Sequence, residues 1–200
     1  MKRLFISVLA VVLSYALCTP DAQAFELTAN GGFETGDLTG WLIDGDTDYS
    51  GVGESSPYTG DYGFSSGSLE GGYLRQEIQT TVDQEYTLSF WMSRDAQLDS
   101  FEEPFNSFMV LWDGGWDPLF ELQNFSEQDY TFYSISLMAA NPESLLSFYF
   151  FDSQSFINLD DVSLTAADVP QAPVPVPASM VMLATGLAGL AGLRRKRVRI

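Results

Sequence analysis

The 200-residue chain contains no histidine, and its single cysteine is Cys18. The absence of histidine excludes the usual general base, the usual zinc ligand and every Ser–His or Cys–His nucleophilic pair. Residues 25–168 also lack lysine, which excludes Schiff-base chemistry there. Catalysis by a pair of carboxylates remains compatible with this composition.

Basic residues are equally scarce in the middle of the chain. Residues 25–168 hold 26 of the 27 acidic side chains and only two cations, Arg75 and Arg94, which gives a net charge of −24. A field of this sign repels nucleic acid and anionic lipid, whereas it attracts divalent cations. We therefore expect no nucleic-acid partner. An acidic surface that serves solubility alone is the alternative to ion binding.

The N-terminus predicts a secretory signal peptide over residues 1–24. Lys2 and Arg3 precede an apolar run from residue 4 to 17, and Ala22-Gln23-Ala24 forms a small-residue cleavage site before Phe25. The alternative is a membrane anchor, for which the apolar run is short. Cleavage removes Cys18, so the mature chain has no disulfide and its core alone must hold the fold.

The C-terminus predicts a second export-related segment. Residues 168–177 form a proline-rich linker, residues 178–193 are apolar, and residues 194–200 are basic. As a transmembrane helix, the 16 apolar residues span roughly 24 Å at about 1.5 Å per residue. A transmembrane helix usually needs about 20 residues to cross the bilayer, so the flanking prolines and arginines are expected to lie in the membrane interface. By the positive-inside rule, the basic tail is expected on the cytoplasmic side of the membrane.

This order of linker, apolar segment and basic tail resembles the sorting segment of PEP-CTERM proteins. The family's Pro-Glu-Pro is here a Val-Pro-x-Pro-Ala variant, and the motif comprises Val174, Pro175, Pro177, Ala178, Arg194, Arg195, Lys196 and Arg197. The resemblance implies an exosortase-type membrane enzyme as a partner. It also implies at least transient membrane anchoring, followed by location at the cell surface or in the extracellular matrix. Retention of the helix as a permanent anchor stays open.

Residues 25–167 are predicted to form an all-β domain. Apolar and aromatic residues alternate with polar ones with a period of two, and no stretch has helical periodicity. The predicted strands cover residues 73–81, 86–92, 108–112, 130–137, 145–151 and 158–165, and the fifth is expected to be buried on both faces. Loops are predicted at 45–57 and 95–104, with a glycine turn at 113–116. Many short strands without helices favour a jelly-roll β-sandwich.

Several motifs follow one another in an order that resembles jelly-roll carbohydrate-binding modules and their galactose-binding-like relatives. They are Asn30-Gly-Gly-Phe-Glu34 with Gly40-Trp41 downstream, residues 58–64, the strand around Tyr86-Thr-Leu-Ser-Phe-Trp91, and the closing Asp160-Asp161-Val162. The resemblance spans nearly all of residues 26–165. It implies a structural Ca²⁺ ion near the first and last motifs, with Glu34, Asp160, Asn30 and Gly60 as its candidate ligands.

The closing strand supports a charged site on physical grounds. If Val162 and Leu164 point inward, period two places Asp160 inward as well. A buried carboxylate is costly unless it is protonated, paired or bound to a cation, and Ca²⁺ accepts carboxylate and carbonyl oxygens. Alternatively, Asp160 caps a strand end or pairs with Arg75 or Arg94.

Sugar binding requires an exposed aromatic ring with polar groups around it. Tyr49, Tyr58 and Trp116 lie in or beside predicted loops and are the candidates, whereas Trp41 and Trp91 are expected in the core. Three functions remain open at this point: a binding module for extracellular polysaccharide, a structural matrix or surface protein without a specific ligand, and a glycan-cleaving enzyme that uses two carboxylates. The first is favoured, and no catalytic role is expected.

Overall fold

The computed structural model describes residues 25–97 and 105–167. The predicted signal peptide, linker, transmembrane helix and basic tail lie outside the described residues, as does most of the predicted 95–104 loop. The chain divides into two units, Met1–Ala167 and Asp168–Ile200, and all described residues belong to the first. Among these residues, no helix is long and apolar enough to cross a membrane.

Within the described residues, ten antiparallel strands form two five-stranded sheets. Sheet A has the strand order β2-β3-β10-β5-β8, and sheet B has the order β1-β4-β9-β6-β7. The strand bounds are β1 Leu42–Gly45, β2 Ser50–Gly53, β3 Gly63–Ser66, β4 Gly72–Gln79, β5 Glu85–Arg94, β6 Asn106–Trp112, β7 Phe120–Gln123, β8 Gln128–Met138, β9 Glu143–Asp152 and β10 Ile157–Ala166.

The core fills the space between the two sheets because each strand turns alternate side chains inward. Phe90 of sheet A meets Phe148 of sheet B edge to face with ring centroids 5.4 Å apart, and Phe64 meets Phe150 at 5.3 Å. Trp41 is buried in this core, as its sequence context predicts. The all-β jelly-roll sandwich is confirmed.

All six predicted strands are present within one or two residues of their expected ends. Four short strands were not foreseen: β1, β2, β3 and β7. The predicted 45–57 loop is wrong in part, because β2 lies inside it and pairs with β3. Glycine and serine dominate β2 and β3 and leave no period-two pattern there, whereas β1 and β7 are only four residues long.

The expectation of a strand buried on both faces at 145–151 is also wrong in part. In β9 the inward residues are fully buried, whereas Leu145, Tyr149 and Phe151 on the outer face are only half-buried. Trp91 is a second correction. It lies on the outer face of sheet A and is half-buried, because the inward positions of β5 are taken by Tyr86, Leu88, Phe90 and Met92.

A β-bulge in β10 corrects the predicted orientation of Asp160. Asp160 pairs with Trp91, whereas Ser163 pairs with Ser89, so two residues of β10 oppose one of β5. Asp161 has a φ of 48°, a left-handed conformation that aspartate tolerates better than most residues. The extra residue changes the alternation. Asp160 therefore faces outward beside Trp91, while Val162 and Leu164 face the core.

Candidate functional site

Asp160 is fully buried although it lies on the outer face of sheet A, because the loop of residues 57–62 covers it. Its Oδ2 atom accepts the backbone N–H groups of Tyr58 at 2.7 Å and Thr59 at 3.1 Å. Its Oδ1 atom accepts the N–H of Asp161 at 2.7 Å. The carboxylate thus caps the loop. Neither arginine pairs with it, since Arg75 binds Asp44 and Arg94 binds Asp152.

Glu34 holds the other half of the same loop. Its carboxylate accepts the N–H groups of Asp61 and Tyr62 at 3.1 Å each. Gly60 passes so close that an added Cβ atom would lie 2.2 Å from Oε1 of Glu34, and its φ is 68°. Glu34 and Asp160 thus lie at the same loop, on either side of the Thr59–Gly60 turn, and each carboxylate accepts backbone N–H groups of that loop.

Asn30 organises the first loop of the domain. Its carbonyl oxygen accepts the indole N–H of Trp41 at 3.0 Å and the backbone N–H of Phe33 at 3.2 Å. Its side-chain amide donates to the carbonyls of Asp37 and Thr39, each at 3.1 Å. The backbone carbonyl of Asn30, a candidate calcium ligand, therefore already accepts two hydrogen bonds, from Trp41 and Phe33.

Burial raises the pKa of Asp160 to about 6, against the three N–H donors that favour its ionised form. The neighbouring charge of Asp161 acts in the same direction as burial. Burial also raises the pKa of the Tyr130 hydroxyl, and the charge of Asp160 adds to this effect. Negative charge is thus concentrated beneath the 57–62 loop without a cation beside it in the described residues.

The donor set fits a calcium ion only in part. Glu34 and Asp160 flank one loop, and an added Cβ at Gly32 would lie 3.9 Å from Oδ1 of Asp160 and 3.8 Å from Cγ of Glu34. However, both carboxylates accept backbone N–H groups, and residues 25–97 and 105–167 contain no group of three acidic, histidine or cysteine side chains placed to hold a metal. Calcium binding stays a prediction.

The three predicted ligand-binding aromatics lie on different elements. Tyr49 precedes β2 and is 68% exposed, and Trp116 lies in the turn between β6 and β7 and is 94% exposed. Tyr58 lies on the outer face of sheet A, where its ring stacks on Trp91 with centroids 3.9 Å apart. Their role in ligand binding stays a prediction.

The outer face of sheet B carries an aromatic pair that the sequence reading missed. Tyr73 of β4 and Tyr149 of β9 are register partners, and their ring centroids are 5.0 Å apart. Phe151 lies two residues further along β9 and meets Phe105 edge to face at 5.1 Å. Tyr149 and Phe151 were not identified as surface residues because β9 was predicted to be buried on both faces. Their alternate positions along β9 place them on one face, and this spacing could have indicated an exposed aromatic row.

Polar groups border this aromatic pair. The guanidinium carbon of Arg75 lies 4.3 Å from the centroid of the Tyr73 ring, and its Nη1 donates to Asp44 at 2.7 Å. The Arg75 Nε and the Ser107 hydroxyl are buried without a hydrogen-bond partner in the described part of the chain. Burial raises the pKa of the Tyr149 hydroxyl, and Tyr73 adds to the shift. We refer to Tyr73, Arg75, Tyr149 and Phe151 as the sheet B face.

Comparison of the sequence with protein families finds the PEP-CTERM protein-sorting motif over residues 173–196. The chain therefore carries this sorting motif, and the predicted resemblance of its C-terminus to PEP-CTERM proteins is confirmed. No curated protein sequence matches the chain.

Solved structures share the fold of the described domain. A family 61 carbohydrate-binding module in complex with β-1,4-galactotriose aligns with a TM-score of 0.57 and 18% identity over 72% of this chain and 100% of the module. A family 16 module aligns at 0.51 with 20% identity over 69% and 98%. The K3 adhesin domain of Lys-gingipain from Porphyromonas gingivalis aligns at 0.50 with 20% identity over 71% and 98%. At these identities, the similarity establishes the jelly-roll fold.

Proposed function

We propose that this protein is an exported, non-catalytic module that binds extracellular polysaccharide. The observation that carries the proposal is the sheet B face, where an aromatic pair lies beside an arginine whose Nε lacks a partner. The apolar C–H face of a sugar ring packs on a tyrosine, and the sugar hydroxyls offer acceptors to the partly exposed guanidinium group of Arg75.

The charge of the domain narrows the class of polysaccharide. With a net charge of −24 over residues 25–168, the domain repels polyanionic glycans, so we infer that the ligand is a neutral polymer. The galactotriose held by the family 61 module supports this choice of ligand class. The track from Tyr73 and Tyr149 to Phe151 and Phe105 favours an extended chain over a single sugar.

The C-terminal motif supplies the location. We propose that an exosortase-type membrane enzyme recognises Val174 to Ala178 and the basic residues 194–197, and that the protein then resides at the cell surface or in the matrix. Intact-mass measurement of protein recovered from cells tests this step, because processing removes the mass of the apolar segment and basic tail. Recovery of only the uncleaved chain would contradict processing and favour a permanent anchor.

Affinity electrophoresis of the full-length protein in gels that contain β-1,4-galactan, xylan or mixed-linkage β-glucan tests the binding function. We expect retardation by at least one of these neutral polymers, and we expect the variant Tyr73→Ala/Tyr149→Ala to bind about tenfold or more weakly. The matched control is Tyr49→Ala, which removes an exposed tyrosine from another element. Thermal unfolding verifies that each variant is folded.

Each alternative function predicts a different result. Unchanged migration in all three gels would overturn polysaccharide binding and favour a structural protein without a specific ligand. Release of reducing ends from a polymer, lost when one carboxylate is changed to an amide, would overturn the non-catalytic assignment. Weakening by Tyr49→Ala or Trp116→Ala, with the sheet B variant unaffected, would move the binding site to the loops.

A further inference from the structure

A second aromatic cluster lies on the outer face of sheet A and takes no part in the site proposed above. We refer to Tyr58, Trp91, Tyr130 and Phe132 as the sheet A cluster. Tyr58 stacks on Trp91 with an interplanar angle of 19°, Tyr130 lies 5.2 Å from Tyr58, and Phe132 lies 5.3 Å from Trp91, each between ring centroids. Phe132 is 51% exposed and Tyr58 is 38% exposed. Large rings exposed beside one another on a monomeric surface mark a contact site.

The exposed Tyr58 ring is fixed in place before any ligand arrives. Asp160 accepts its backbone N–H and that of Thr59, and the Thr59 hydroxyl donates to Asp161 at 3.0 Å. The Tyr130 hydroxyl donates to the carbonyl of Ser56, which holds the start of the same loop against β8. A ring held in this way loses little conformational entropy on binding, so the entropic cost that opposes ligand binding is small.

Rows of hydroxyl groups continue from the aromatic cluster across the same face. The register of β10, β5 and β8 aligns Ser163 with Ser89 and Ser134, and the next row aligns Thr165 with Thr87 and Ser136. Neighbouring hydroxyls within a row lie about 4.8 Å apart because this is the spacing of paired strands. Each hydroxyl donates and accepts hydrogen bonds, as sugar hydroxyls do. None of these six side chains is ionisable.

The rings and hydroxyl rows of this face select one occupant, although carboxylates lie at its edge, where Glu26 accepts the Ser163 hydroxyl and Asp161 accepts the Thr59 hydroxyl. A cationic partner would be drawn to carboxylates over the whole domain rather than to these rings, and an anionic one would be repelled. A second copy of the domain brings another charge of −24 over residues 25–168 and is repelled as well. A neutral glycan has the matching chemistry, since it offers apolar C–H faces to the rings and hydroxyls to the serine and threonine rows.

We propose that the sheet A cluster is a second glycan-binding site, so that one domain holds two polysaccharide chains on opposite faces of its sandwich. This inference rests on the proposed polysaccharide-binding function and extends it to cross-linking. The two sites share no residue, because the core separates sheet A from sheet B. Each site is therefore removable by itself.

The test combines site counting with network formation. Full-length protein, shown to be monomeric by light scattering, is titrated with the oligosaccharide of whichever of β-1,4-galactan, xylan or mixed-linkage β-glucan retards it, and turbidity is followed with the polymer. We expect two sites per chain and a rise in turbidity. Tyr58→Ala/Phe132→Ser is expected to leave one site and to abolish the rise, as Tyr73→Ala/Tyr149→Ala does at the other face.

Met138→Ser is the matched control, because Met138 is 60% exposed on the same strand and on the same face, six residues from Phe132. It is expected to change neither the site count nor the turbidity. A count of one in the unmodified protein, or a Tyr58→Ala/Phe132→Ser variant that still counts two, overturns the second site and leaves the proposed function standing. Absence of retardation by all three polymers overturns both proposals.

Discussion

At the scale of single residues, Gly60 shows how a backbone position can be required by a neighbouring side chain. Its φ of 68° strains any residue with a Cβ atom, and that atom would collide with the Glu34 carboxylate at 2.2 Å. The collision is distinct from the strain, because the carboxylate must move and release the N–H groups of Asp61 and Tyr62.

We expect Gly60→Ala to lower the free energy of unfolding by about 2 to 3 kcal/mol, since strain and loss of the Glu34 contacts act together. Gly114→Ala is the control, because Gly114 has the same φ of 68° and nothing within 4 Å of an added Cβ. Its cost is expected to be about 1 kcal/mol, for backbone strain alone. Denaturant unfolding of both variants measures the difference. Equal losses would show that the Glu34 contact contributes nothing.

Glu26 illustrates a carboxylate whose charge the fold uses. Burial opposes ionisation, but hydrogen bonds from Ser163, from the N–H and hydroxyl of Thr28 and from the N–H of Leu164 outweigh it and lower the pKa of Glu26. A pKa lowered by folding stabilises the native state above the unfolded pKa, and this stabilisation is lost as pH falls through the folded pKa.

We expect Glu26→Gln to be less stable than the unmodified protein by about 1 kcal/mol at neutral pH, because a partly exposed carboxylate is screened by solvent. The difference is expected to shrink as pH falls below 4.5, the reference pKa of the side chain. Denaturant midpoints measured at several pH values would reveal it. A stability difference that does not depend on pH would mean that the charge of Glu26 does not contribute to stability.

The bulge at Asp161 is a feature that the sequence pattern could not predict. Burial of Asp160 was foreseen, but its direction was not, since a bulge leaves no trace in a period-two pattern. The predicted place of Trp91 in the core is wrong for a different reason. Trp91 alternates with Phe90 and Met92, so its period-two position faces outward, where the Tyr58 ring stacks on it.

At the scale of secondary-structure elements, one ion pair joins the ends of β5 and β9 across the sandwich. Arg94 Nε donates to Asp152 Oδ2 at 2.7 Å, Nη2 donates to Oδ1 at 3.3 Å, and both side chains are fully buried. Asp152 also accepts the N–H groups of Gln154 and Ser155, so it orders the turn that leads into β10.

We expect Arg94→Met to cost about 3 to 5 kcal/mol of stability, because it leaves the Asp152 charge buried without its partner. Adding Asp152→Leu to Arg94→Met is expected to recover part of this loss by removing the stranded charge. Arg75→Met is the comparison, since the Arg75–Asp44 pair is partly exposed, at 30% and 60% of the two side chains, and contributes about 1 kcal/mol or less. Thermal unfolding of the three variants checks the order. A double variant less stable than Arg94→Met would contradict this account.

The long strands could be predicted from sequence because aromatic and aliphatic residues alternate over seven or more positions. The short strands could not, because β1, β2 and β3 are built from glycine, serine and isolated apolar residues whose pairing is set by tertiary contacts. The sheet B face was missed for a related reason. Two of its three rings, Tyr149 and Phe151, lie on β9, where outward aromatic residues made the sequence resemble a strand buried on both faces.

At the scale of the whole molecule, calcium offers a test of the capped loop. If Ca²⁺ binds the folded domain at Glu34 and Asp160, mass action raises its stability by about 2.7 kcal/mol at a calcium concentration 100-fold above the dissociation constant. We expect a higher unfolding midpoint in millimolar Ca²⁺ than with a chelator, and no such difference for Glu34→Gln. An unchanged midpoint in the unmodified protein would remove the metal and leave the N–H donors as the only partners of these carboxylates.

The position of the last strand has a mechanical consequence for a protein tethered at its C-terminus. The chain leaves the described domain directly after β10, which is hydrogen-bonded to β5 along most of its length and to β3 at its start. Glu26 pairs with Thr165 near its other end, so the last strand has neighbours on both sides. If the proposed polymer binding and C-terminal tether both hold, load from the polymer reaches the tether along β10 and strains many interstrand hydrogen bonds at once. We therefore expect the domain to resist pulling at its C-terminal end.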